Sequence, residues 1–155
     1  MKAMILVLAV AGLAAAGSAQ AQSGASVERG RYLVQVAGCN DCHTAGYGPR
    51  HGQVPESEWL LGDGLGWRGG WGTTYASNLR LSFAALSEDD WLRLARQAEY
   101  RPPMPWFNLR VMSDADLKSI WRFIRALGPA GQPAPAYLPP EQAPVGPVVS
   151  FPGPG

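Results

Sequence analysis

Chemistry in this chain concentrates in the run Cys39-Asn40-Asp41-Cys42-His43, which holds both cysteines and one of the two histidines. A three-residue offset on one helical turn puts the two thiols on the same side, and the next residue swings its imidazole beneath the plane they define. That geometry lets both thiols bond the two vinyl groups of a haem while His43 takes the iron from below. Three other readings compete. A thioredoxin-like redox pair needs a strand, helix and strand around it, and no strand signal lies nearby. A zinc site needs four ligands, usually including a second Cys or His pair, and only His51 remains. A plain disulfide leaves the adjacent His43 without a role. Haem c with its iron is therefore the expected cofactor, attached through Cys39 and Cys42 and ligated by His43.

Such an iron has a sixth position, for which Met104, Met112, His51 or nothing are the candidates. Met104 sits in Arg101-Pro102-Pro103-Met104-Pro105-Trp106, where the prolines fix φ on both sides and push the preceding residues to extended backbone. A stiff loop suits a metal that changes oxidation state with little rearrangement, and a soft thioether raises the potential. Met112 has another explanation, because it precedes the helix cap Ser113 with Leu117 at the staple position. His51 follows His43 by only eight residues in the same Gly-rich stretch and suits a solvent-facing or propionate-side place better. Met104 is the expected second ligand.

Helices must position these groups. Ser26 can cap a helix through Val27, Leu33 and Val36 that ends at Gly38. Ser87-Glu88-Asp89-Asp90 reads as a capping box ahead of Trp91, Leu92, Leu94 and Ala95, with the acidic first turn matched to the helix dipole; that helix should stop before Pro102. Ser113-Asp114-Ala115-Asp116 reads as a second box, opening a helix through Leu117, Ile120, Phe123 and Leu127 that Gly128 and Pro129 terminate. Residues 46–72 show no sustained period and are expected to be loop, with a helical turn around Glu56 to Leu61.

Composition sets the class. The chain has 155 residues, of which 33 are Gly or Pro, and a formal charge of +1 with no basic run. One loop-rich domain follows, and nucleic acid is excluded as a partner. Met1 and Lys2, the apolar run Ala3 to Ala16 and the Ala19-Gln20-Ala21 site read as a signal peptide, residues 1–21, cleaved after Ala21. The run is too short to span a bilayer, so a soluble periplasmic protein is expected, with no membrane span once the leader is gone. The domain proper then covers residues 22–128. Residues 129–155 form a Pro/Gly-rich tail that cannot hold a helix or a central strand; it either wraps the surface or is mobile. The six tryptophans are expected mainly in the core or the haem pocket, with docking through an exposed one as the alternative. Arg68 and Arg80 can neutralise haem propionates or remain solvated.

Gly30-Arg31-Tyr32-Leu33, Cys39 to His43, a C-terminal helix carrying Phe123 and a Pro-flanked Met104 lying 61 residues after His43 together resemble a class I cytochrome c over roughly residues 27 to 128. The resemblance implies a small all-α fold, three main helices and long loops around one covalent haem, with the first and last helices crossing near Gly30 and Phe123. Trp71 to Leu79 further resembles the cytochrome domains that serve membrane dehydrogenases of alcohols and gluconate-type sugar acids. That likeness implies Tyr75 and Asn78 near the propionates and Leu79 against the ring. Arg80 stands where those domains usually continue with Thr-Pro.

The expected function is one-electron transfer between redox partner proteins, a dehydrogenase donor and an oxidase or other cytochrome acceptor, with no catalytic residue of its own. The alternatives are a fixed haem subunit of a dehydrogenase complex, or a haem-based ligand sensor or peroxidatic protein whose sixth ligand is labile. After leader cleavage the formal charge is zero, with Lys118 the one remaining lysine, so docking is expected to be apolar and only weakly salt-dependent.

Overall fold

Ser26 accepts a hydrogen bond from the Arg29 amide and so opens α1 (Val27–Val36). The computed structural model describes residues 24–152; the leader and its cleavage site lie outside them. α1 crosses the long helix α6 (Asp114–Leu127) at Gly30, where an added Cβ would overlap the Ser119 carbonyl and lie 2.7 Å from Cβ of Phe123. The expected crossing point is thus a backbone-to-backbone approach that glycine alone permits. Leu33, Val34, Leu117, Ile120, Phe123 and Ile124 bury the interface, and the Ser119 hydroxyl accepts from the Ser26 amide at 3.1 Å.

Gly38, left-handed at φ 75°, ends the first helix and starts the five-residue α2 (Cys39–His43). A 3-10 turn at Glu56–Glu58 falls where a helical turn was expected. α3 (Leu79–Ala84), α4 (Glu88–Gln97) and α5 (Phe107–Val111) complete the helical set. The Ser87–Asp90 capping box is complete, but its counterpart at Ser113 is half of one. Ser113 caps the Asp116 amide, whereas the Asp116 carboxylate pairs with Nε of Arg29 at 2.9 Å, so a bond between helices has displaced the local one.

The all-α expectation holds for this framework and fails elsewhere. Within the expected loop, β1 (Gly66–Gly69) and β2 (Gly72–Tyr75) form an antiparallel hairpin, and β3 (Val148–Ser150) from the tail adds to β1 in parallel, giving the order β2-β1-β3. The tail therefore wraps the domain. β3 is an edge strand following Pro147, the placement in a sheet that a proline-rich segment tolerates. Among the described residues no helix is long and apolar enough to cross a membrane.

Candidate functional site

The Cys39–His43 turn is anchored from beneath. Thr44, fully buried, donates its hydroxyl to Oδ1 of Asn40 at 2.9 Å and accepts the Leu60 amide at 2.8 Å. The Gly62 amide donates to the His43 carbonyl at 2.8 Å. Gly62, at φ 83°, leaves no space for a side chain: an added Cβ would lie 2.9 Å from the Ala76 carbonyl oxygen and the Asn78 amide nitrogen. Residues 76–78 are thereby pressed against the turn, and Nδ1 of His43 lies 2.7 Å from the Ser77 carbonyl. A carbonyl only accepts, so Nδ1 carries the hydrogen and Nε2 keeps its lone pair, the arrangement of a metal-ligating imidazole. Burial pushes the His43 pKa below its ordinary value, and the Ser77 bond only partly opposes this.

Cys39, Cys42 and His43 line a cavity of about 480 Å³ together with Met104, Tyr75 and Leu79, within the range of roughly 300–1,000 Å³ common for ligand pockets. Phe83, Trp91, Ile120 and Ile124 make much of the wall apolar. Burial pushes the Cys39 thiol up to about 11, and burial followed by the charges of Asp41 and Asp63 raises Cys42. Both thiols are free. A reactive redox pair needs the opposite shift, and among the described residues no cluster of three His, Cys, Asp or Glu side chains assembles to hold a metal ion.

Six of the seven expected site residues thus meet in one cavity. Asn78 does not: it caps α3 by accepting the Leu81 amide, and its Nδ2 donates to the carbonyls of Ala130 and Gln132 at 2.8 and 3.1 Å. Its side-chain amide is thereby taken up by carbonyls of the tail. Arg80 is likewise committed, to the carbonyls of Gly128, Ser57 and Leu127, and Arg68 to Thr73, Pro140 and Gln142. His51 lies exposed in a turn at φ 50°, outside the cavity lining. Met112 packs against the core as a staple residue should and also reaches the cavity.

Sequence reasoning did not single out Trp67, which lines the cavity and whose buried Nε1, like Trp71 Nε1 and Asn40 Nδ2, has no acceptor among the described residues. A buried orphan donor is rare and costs about 1–3 kcal/mol. Two thiols, an imidazole with Nδ1 held by a carbonyl, a thioether and a largely apolar wall make a set that fits a haem.

No family model matches the chain, and no solved structure does. The chain is 27% identical over 124 residues to one of the subunits of the nicotinate dehydrogenase of Pseudomonas putida (strain KT2440), a match covering 74% of this chain. It spans 10% of the length of that curated relative.

Proposed function

We propose that this chain is a mono-haem c-type cytochrome of the class I kind, carrying single electrons between redox partners. The observation behind the reading is that Cys39, Cys42, His43 and Met104, brought from two distant parts of the chain, line one largely apolar cavity. When bound, haem supplies one-electron chemistry at its iron. Cys39 and Cys42 would hold it through thioether bonds, and His43 Nε2 and the Met104 sulfur would ligate its iron. The Ser77 carbonyl holds the proton at Nδ1 and fixes the plane of the imidazole. Leu79, Phe83 and Ile120 in the cavity wall would keep water from the ring, and Trp67 and Tyr75 line the same cavity with polar atoms. No acid or base on the chain is needed for the transfer.

The reading of residues 1–21 as a leader supports a periplasmic place, and the proposed partners are a dehydrogenase as donor and an oxidase or other cytochrome as acceptor. A second reading, a fixed haem subunit of a dehydrogenase, is favoured by the relative, which is itself a dehydrogenase subunit. Intact mass after acid-acetone extraction tests covalent attachment. The exported chain is expected to keep the haem mass, and the double variant Cys39→Ser, Cys42→Ser to lose it; a parent chain stripped of haem by extraction refutes the reading. Gel filtration of a native periplasmic extract separates free carrier from subunit.

A further inference from the structure

We propose that the C-terminal segment is a strap that positions the Met104 loop, with Tyr137 as the positioning residue. The need for a strap is written into the loop. Residues 98–106 follow the end of α4 without regular structure, and prolines at 102, 103 and 105 remove three amide donors. The loop's own backbone bonds at its centre reduce to Met104 N to the Arg101 carbonyl at 3.3 Å and Trp106 N to the Met104 carbonyl at 2.9 Å. Order must come from outside.

Two successive residues of β2 supply it. Thr73 exchanges both backbone hydrogen bonds with Leu138, at 2.8 and 3.0 Å, and Thr74 donates its hydroxyl to the Pro102 carbonyl at 2.9 Å. One strand thus holds tail and loop side by side. They also touch directly: the Arg101 guanidinium stands 3.8 Å from the centroid of the Tyr137 ring, a cation over an aromatic face. Tyr137 is itself fixed, its hydroxyl donating to the Trp71 carbonyl at 2.8 Å. Gly72, at φ 100°, gives the ring its seat, since an added Cβ would overlap the Leu138 carbonyl and lie 3.0 Å from the ring. Downstream, Arg68 grips the carbonyls of Pro140 and Gln142. The tail lies beyond the domain's last helix, so this chain governs its second ligand loop with residues outside the core.

The strap concerns the same cavity as the proposed haem site, and only its spectral consequence rests on Met104 being a ligand. Amide hydrogen exchange in the holoprotein decides it, comparing Tyr137→Leu, Arg101→Leu, the double variant and Tyr137→Phe. Each leucine variant should speed exchange at Met104 and Trp106 by about tenfold, or about 1.4 kcal/mol, leaving α6 amides unchanged. The double variant should add nothing to either single one, and Tyr137→Phe, which keeps the ring, should change exchange by less than about threefold. Arg101→Leu leaves the tail intact and keeps the test open should Tyr137→Leu fold poorly. Unchanged exchange at Met104 and Trp106, or effects that simply add, overturns the strap. Carbon monoxide, expected to leave the parent spectrum unchanged, should bind detectably in the same variants; a parent that never shows an iron–sulfur band removes Met104 as ligand while exchange still decides the strap.

Discussion

The Ser77 carbonyl stands 2.7 Å from Nδ1 of His43, and what holds it there is the absence of a side chain at Gly62. Any Cβ at that position would press on the Ala76 carbonyl, the Ser77 carbonyl carbon and the Asn78 amide at 2.9–3.0 Å. The imidazole tautomer is thus set by a glycine on a neighbouring segment.

Gly62→Ala is expected to cost about 1–3 kcal/mol, combining strain at positive φ with overpacking. It should also raise the high-spin fraction of the ferric protein as Ser77 moves off His43. Denaturant unfolding and the visible spectrum of the variant measure the two effects.

Met104 and Met112 both reach the cavity, and substitution separates their roles. Met104→Ala should abolish the far-red sulfur-to-iron band and admit carbon monoxide. Met112→Leu, a volume-conserving change, should keep the band and cost less than about 1.5 kcal/mol. The reverse pattern in the spectra would move the ligand to Met112.

The bond from Arg29, with its charge, holds the Asp116 carboxyl below its ordinary 3.8. A carboxyl depressed in the folded state gives stability that is present above the unfolded value and lost as pH falls through the lower folded one. Asp116→Asn should therefore flatten the acid side of the Tm profile, the gap to the parent closing as pH drops from about 6 towards about 2. A gap that widens on acidification would contradict the sign.

All eleven arginines are engaged. Arg29, Arg31, Arg50, Arg93, Arg96, Arg110 and Arg122 pair with carboxylates, Arg68, Arg80 and Arg125 bond carbonyls, and Arg101 covers Tyr137. Lys118 pairs with Glu88. Oxidation of the reduced protein by an anionic and by a cationic one-electron complex should each change by less than about threefold between low and physiological salt. Stopped-flow rates showing a steep, opposite dependence for the two would reveal a charged docking face.

Caps and crossings were legible because they are local or sterically unique. Ser26, Ser87 and Ser113 each bond an amide three residues on, and Gly30 stands out in a helix that offers it no other use. The sheet was not, since Gly66-Trp67-Arg68-Gly69 has no apolar alternation and its β3 partner lies some eighty residues downstream. The partners of Asn78 and Arg80 were hidden for a related reason. Their acceptors are backbone carbonyls of Ala130, Gln132, Gly128, Leu127 and Ser57, and a carbonyl leaves no mark in a sequence. The cavity-lining residues were legible where chemistry names them, at Cys39, Cys42, His43 and Met104, and hidden at Trp67, one tryptophan among six that no spacing distinguishes.

The most direct test is the visible absorption spectrum of the exported protein, oxidised and reduced, with and without carbon monoxide. A low-spin spectrum with the weak far-red sulfur-to-iron band, unchanged by carbon monoxide, is the expected result and means that His43 and Met104 both hold the iron. A high-spin spectrum, or ready binding of carbon monoxide, contradicts it and makes the protein a ligand-binding or peroxidatic one instead.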